Sequence, residues 1–234
     1  MAGSEDKGGA APPEVPEDLK TALASFLSES DSGDGGVERA SYEVVAGYVQ
    51  ELLAERDGGH NEIDTRSGET IRPLDPDPEK IKLEDIAHGL SNVGRFAGQG
   101  EEFYSVARHS VHVSLEVEAQ GGSREAQRYA LVHDAAEAYL SDVPGPVKKS
   151  LPGYKRAERR LDAAVANALG LGVTDEEREI VEEADADVGQ RELAVEFPDR
   201  GHNGAELEHN PDEEDEEIED KALFLDRASN LELR

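Results

Sequence analysis

The sequence predicts a nearly all-α domain with one small β-hairpin at its start. Two observations carry this. Apolar residues recur at helical spacing through six successive segments between residues 83 and 230. A hairpin signal, with Ile63–Thr65 and Thr70–Leu74 flanking Ser67, Gly68 and Glu69, occurs once, just ahead of them. A chain of 234 residues is long enough to bury one sizeable core and carry appendages.

In chain order, residues 16–29 form a short predicted helix through Leu19, Leu23, Phe26 and Leu27. A second, over 38–56, gathers Val44, Val45, Tyr48, Val49, Leu52 and Leu53 on one face. The Gly- and Asp-rich run 31–36 separates the two. After the hairpin, the Asp-Pro-Asp-Pro run 75–78 breaks the chain before helices over 83–97, 103–119, 124–141, 154–169, 174–196 and 218–230. Leu83, Ile86, Ala87, Leu90 and Val93 stripe the first of these. Val106, Val113, Leu115 and Val117 serve the next, and Ala130, Leu131, Ala135, Ala138 and Tyr139 the third. Thr174 with Glu177 is a capping box for the helix at 174. The expected organisation is an acidic, partly disordered extension over 1–60, a domain over 61–197, an acidic disordered segment over 198–217 and a C-terminal helix over 218–234.

The formal net charge is −30, from 54 acidic and 24 basic residues. Residues 1–38 and 206–220 hold 19 of the acids and two of the bases. The rest of the chain is still acidic, and only eight of the bases are lysines, a composition suited to high salt. Such a surface excludes a general electrostatic grip on nucleic acid or on an anionic membrane. Cysteine is absent, so thiolate metal sites and nucleophiles are excluded and any metal takes nitrogen and oxygen ligands. Met1–Gly9 is polar, without the apolar stretch of a signal peptide, and no apolar run approaches the ~20 residues of a membrane span. A soluble, cytoplasmic protein is expected.

The chemistry-bearing residues lie in the predicted helices. His133 and Asp134 stand in the apolar run YALVHDAAEAY, where a charged aspartate is costly unless paired or bound to a cation. Glu137 follows one turn on, placed to handle a water. His109 and Asp185 lie in two other helices. Two histidines and two aspartates from three helices make a mixed N/O set of the kind a divalent ion takes. Asp142 precedes a Val-Pro-Gly-Pro turn that can aim it back at Glu137. Six of the bases fall within 148–160, a basic exception in an acidic chain. Lys148 reads as a substrate contact, whereas Arg159 and Arg160 read as a solvated face paired with Glu158 and Asp162. His112 reads as an ordinary helix residue, His88 as a minor pocket candidate, and His60, His202 and His209 as loop residues without signal.

The order His109, His133-Asp134, Asp185 resembles the H…HD…D signature of the HD-domain metal-dependent phosphohydrolases. The likeness is closer to the branch holding YfbR-type 5'-deoxynucleotidases and phage dATP triphosphohydrolases. It extends through IAHGLSNVGRF at 86–96, FYSVARHS at 103–110, LVHDAAEAYLSDVPGPVK at 131–148 and LPGYK at 151–155, covering about 62–196. The resemblance implies an HD-type helical bundle. It implies that His109, His133, Asp134 and Asp185 bind one divalent ion (Co, Mn, Zn, Fe or Mg), with Asp187 the competing fourth ligand. It implies that Glu137 and Asp142 position or activate a water, and that Arg95 and Lys148 hold a substrate phosphate. Phe96 is expected either to face the nucleobase or to pack in the core. The implied activity is hydrolysis of a phosphate ester or anhydride of a (deoxy)nucleotide, in a protein that can be a homo-oligomer. A nucleotide-sensing or scaffold protein on the same fold, and a phosphatase for non-nucleotide esters, are the alternatives.

Overall fold

The computed structural model describes residues 61–209, 211 and 218–234, all within the unit Gly59–Arg234. The helices expected within 1–60 lie outside the described residues.

Among the described residues the fold is built of helices with one two-stranded antiparallel sheet. Strands β1 (Ile63–Asp64) and β2 (Thr70–Ile71) pair Ile63 with Ile71 and Asp64 with Thr70. They are shorter than the sequence predicts, because Thr65 and Glu69 already belong to the turn, with Thr65 N–H donating to Glu69 O at 2.8 Å. The turn is tied to α1 (Leu83–Ser91) by Asp85, which is buried and accepts from the Ser67 amide at 2.8 Å and hydroxyl at 2.7 Å.

Helix α2 (Val106–Ala119) is the centre of the unit Gly59–Arg234. Ser105 caps it by accepting the Arg108 amide at 3.1 Å. Its Val106, Ala107 and Val111 join one core cluster with Ile86, Leu90, Leu131 and Phe224. Its Val113 and Val117 join a second with Ala126, Ala130, Val181, Ala184 and Val188. Surrounded on both sides, α2 is buried around most of its circumference, and its polar His109, Ser110, His112, Ser114 and Glu116 are buried with its valines. The second cluster is closed by α3 (Arg124–Val132) and α7 (Asp175–Glu196). Their N-termini are linked: Ser123 caps α3, Thr174 and Glu177 form the capping box of α7, and the Ser123 hydroxyl donates to Glu177.

Three departures from the expected helices shape the site. First, the helix expected over 83–97 stops at Ser91, and Arg95–Gly98 forms a separate tight turn. Phe96 (φ 56°) and Ala97 (φ 54°) there take the left-handed backbone that side chains disfavour, at a cost on the order of 1–3 kcal/mol each. Arg95 N–H to Tyr104 O at 2.8 Å and Val106 N–H to Val93 O at 2.9 Å hold the turn against α2. Second, the helix expected over 124–141 ends at Val132 and resumes as α4 (Glu137–Leu140). Ala130 O, the acceptor that would continue the helix through residue 134, takes the His133 Nδ1 proton at 2.7 Å instead. Tighter bonds such as Glu137 N–H to Asp134 O carry the chain across the break. Gly89 of α1 meets α4 so closely that a Cβ there would lie 2.7 Å from Ala138 Cβ. Third, α5 (Gly145–Lys148) follows the Pro-Gly-Pro turn, and α6 (Pro152–Ala168) begins earlier than expected, at Pro152.

The C-terminal helix α8 (Asp220–Asn230) belongs to the core rather than standing apart as an appendage: Phe224 is fully buried in the first cluster. The buried Arg227 reaches α2 and α3 through Ser114 Oγ (2.9 Å), Ser114 O (3.0 Å), Gln127 Oε1 (3.2 Å) and Glu118 (2.6 Å). Arg108 donates to Asp220 at 2.7 Å and to Ile218 O at 3.0 Å. Part of the segment expected to be disordered is likewise anchored. The Glu208 and His209 amides donate to the buried Glu116 at 3.1 and 2.8 Å.

Candidate metal centre

His109, His133 and Asp134 each offer a ligand atom within 4.8 Å of the others, a group that can hold a metal ion. His109, from α2, is fully buried. Its Nδ1 is 2.8 Å from Glu192 Oε1, and an ionised carboxylate only accepts, so Nδ1 carries a proton and, in the neutral ring, Nε2 holds the lone pair. The same reasoning at His133, whose Nδ1 faces Ala130 O, leaves its Nε2 as a lone pair too. Both Nε2 atoms are buried without a hydrogen-bond partner. They converge on carboxylates: Asp134 Oδ2 lies 3.7 Å from His109 Nε2 and 3.4 Å from His133 Nε2. Asp185 Oδ1 lies 3.0 and 3.6 Å from the same two atoms.

Two imidazole lone pairs facing two carboxylates repel unless positive charge lies between them. Protons can supply it. Burial opposes the imidazolium at His133, but Asp134 and Asp185 outweigh it and push His133 up to about 10. Burial likewise opposes ionisation of Asp185, while His109 and His133 hold its carboxyl far below the usual range. A divalent cation answers the same demand with ligands of the right type, so the residues present fit one.

The other expected site residues gather around this group. Arg95 is half-buried and lies 3.9 Å from Asp134. Its Nε and Nη2 donate to Glu192 Oε2 at 3.2 and 3.1 Å. Phe96 packs its ring edge-on against Phe197, centroids 5.5 Å apart, and lies 5.4 Å from the Arg95 guanidinium. Glu137 is buried; its Oε1 accepts from Lys148 Nζ at 2.7 Å, and its Oε2 is buried without a partner. Burial and Asp134 push Glu137 up to about 8, against the pull of Lys148. Asp142 follows Ser141, whose left-handed backbone (φ 66°) reverses the chain and whose carbonyl accepts from Tyr154 at 2.6 Å. Burial raises the Asp142 carboxyl, while Arg95 and Lys148 lower it.

The structure gives several of these residues partners that the sequence did not indicate. Lys148 is not an open phosphate contact: its ammonium is shared between Glu137 and Glu158, each at 2.7 Å. Arg160 donates to Leu74 O at 2.8 Å, in addition to any acidic partner on its own helix. Asp185, the expected ligand, is the aspartate of α7 that faces the two histidines. His209 is not a bare loop residue: its Nε2 lies 3.2 Å from His112 Nδ1, and its ring stacks on His112, which stacks in turn on Tyr104. Two acids were not anticipated as part of the site. Asp162 of α6 is pushed up to about 7 by burial, then by Glu158 and Asp134. Glu192, only 6% exposed, stands seven residues after Asp185 on α7. That spacing offsets the two side chains by roughly 20° around the helix, which is the signal that could have found it.

No protein-family profile matches the chain. It is 46% identical over 93 residues to the uncharacterized protein YfdR of Escherichia coli, a match covering 40% of this chain and 49% of that protein. It is 46% identical over 110 residues to the uncharacterized protein RCAP_rcc00048 of Rhodobacter capsulatus, covering 45% and 56%. The chain thus matches about half the length of these curated relatives.

Proposed function

We propose that this protein is an HD-type metal-dependent phosphohydrolase that cleaves a phosphate ester or anhydride of a (deoxy)nucleotide. The observation that carries the reading is the pair of buried, unpartnered Nε2 atoms aimed at Asp134 and Asp185 beside an arginine and an orphaned carboxylate oxygen. The nucleotide part of the reading rests on the motif resemblance.

His109, His133, Asp134 and Asp185 would hold the cation. When bound, the ion neutralises phosphate oxygens and increases the acidity of water. The protein supplies the rest. Arg95, held charged by Glu192 and Asp134 against the cost of burial, offers guanidinium N–H groups to a phosphate oxygen. Glu137 presents its unpartnered Oε2 to accept a proton from the attacking water. Lys148 holds Oε1 and thereby fixes the carboxylate's direction. Asp142, at the reversed turn after Ser141, adds a second carboxylate that raises the proton affinity of Glu137. Phe96, half-buried on Phe197, offers an aromatic edge beside Arg95.

The test is a panel of nucleoside and deoxynucleoside mono- and triphosphates. The metal-stripped protein is reloaded with Mn, Co, Zn, Fe or Mg, at low and high salt, with product identification. Release of phosphate, pyrophosphate or triphosphate from a nucleotide is expected. A metal-binding protein that turns over none of them overturns the reading in favour of a nucleotide-sensing one. Cleavage of simple phosphate esters that nucleotides fail to inhibit points to a general phosphatase.

A further inference from the structure

We infer that Glu192 is a positioning residue coupling the metal centre to the anion-binding arginine, one buried carboxylate setting both the direction of His109 Nε2 and the stance of Arg95. The inference rests on the metal-centre reading above.

Each oxygen of Glu192 has its own duty. Oε1 accepts from His109 Nδ1 at 2.8 Å. Oε2 accepts from Arg95 Nε at 3.2 Å and Nη2 at 3.1 Å. Glu192 also helps burial to raise the pKa of the Tyr104 hydroxyl. The His109 and Arg95 donors come from α2 and from the turn after α1, so one side chain of α7 ties two other segments together. The donors surround both oxygens, and only an ionised carboxylate accepts at both. An amide would turn its NH₂ toward either His109 or Arg95 and lose one of the two.

The consequences reach the ligands. Fixing the proton on Nδ1 directs the His109 lone pair at Nε2 toward Asp134 and Asp185, the orienting role that a carboxylate plays behind a ligating histidine. Holding the guanidinium keeps Arg95 at 3.9 Å from Asp134. Without Glu192, Asp134 remains as an anion 3.9 Å from Arg95, and closing on it would set Arg95 in competition with the cation for that ligand. The backbone supports the same purpose: the turn that delivers Arg95 carries two consecutive left-handed residues, Phe96 and Ala97. Asp185 and Glu192, two turns apart on α7, thus supply a ligand and the support for another ligand from one helix face.

The experiment uses the full chain carrying Glu192→Gln, which keeps the volume and one acceptor. Metal affinity is measured on the stripped protein by competition between Zn²⁺ or Mn²⁺ and a chromophoric chelator. Inorganic phosphate binding is then measured on the metal-loaded form. Metal affinity is expected to fall about 10- to 100-fold, and phosphate binding to weaken at least tenfold, about one step of 1.4 kcal/mol. Unchanged metal affinity overturns the proposal, because a residue that only fills space is replaced by Gln without loss. Weakened metal with unchanged phosphate binding overturns the coupling to Arg95. If Glu192→Gln does not fold, Arg95→Met/Glu192→Gln removes both buried charges together and is compared with Arg95→Met alone. The same loss of metal affinity is expected, and its absence is equally decisive. A wild-type chain that binds no metal overturns the metal-centre reading itself, and this inference with it.

Discussion

The Lys148 ammonium lies 2.7 Å from Glu137 Oε1, inside a site where the other oxygen of Glu137 is buried and unpartnered. The pair therefore orients a carboxylate instead of offering a free cation. Replacing Glu137 with Gln is expected to lower kcat by about 10²- to 10⁴-fold, the worth of a positioned general base, with metal content unchanged. Parallel loss of metal would reassign Glu137 as a ligand.

Lys148→Met makes a different prediction. As the proposed base, Glu137 would act only when ionised, so activity is expected to rise as pH climbs through its pKa. Burial and Asp134 raise that value, to about 8 before any bound cation, and Lys148 lowers it. Removing Lys148 is expected to move the acidic limb of the kcat–pH profile upward by about one pH unit or more. A limb that stays in place, with KM for substrate raised instead, would return Lys148 to the role of phosphate contact.

Metal ligation separates two neighbouring aspartates. Asp185→Asn and His133→Gln are expected to reduce bound metal to less than about a tenth of wild type at matched free concentration, whereas Asp187→Asn leaves it unchanged. Metal at 100 times its Kd is expected to stabilise the wild-type fold by about 2.7 kcal/mol. Equilibrium dialysis and melting with and without chelator check both.

The buried His112 sets a pH dependence of stability. Burial first, then the adjacent His209, lowers its pKa to about 3. The unfolded chain binds a proton near 6.5 that the folded chain refuses, so stability falls as pH drops from 6.5 toward 3. Between pH 7 and pH 5 this one group is expected to remove about 2 kcal/mol. His112→Phe should abolish that difference relative to wild type in urea unfolding at the two pH values. Identical slopes for both proteins would show that His112 takes up its proton while folded.

The placement of α8 is tested by Phe224→Ala. A fully buried phenylalanine in the first core cluster is expected to contribute about 3–5 kcal/mol. A loss below about 1 kcal/mol would mean that the helix is peripheral.

The sequence by itself determined the helical character, the hairpin at the start of the domain and the capping box of α7, because each of these is written in local periodicity or in short motifs. His133, Asp134 and Glu137 are legible as an anomaly: charge in an apolar run with no local partner. The break after Val132 is not legible, because it depends on which group captures Ala130 O. Nor is the end of α1 at Ser91, which follows from contacts between the Arg95 turn and α2. Glu192 looks like one more acid in an acidic helix until its partners are known, and they lie 83 and 97 residues away. The same distance in sequence hides the engagement of His209 with His112. What only the tertiary structure decided is therefore how charges are paired: which acids hold the Lys148 ammonium, and whether Arg95 faces Asp134 or Glu192. Burial gives those pairings their strength. An acid or base removed from water must find its partner wherever the packed helices bring one, and periodicity carries no information about that.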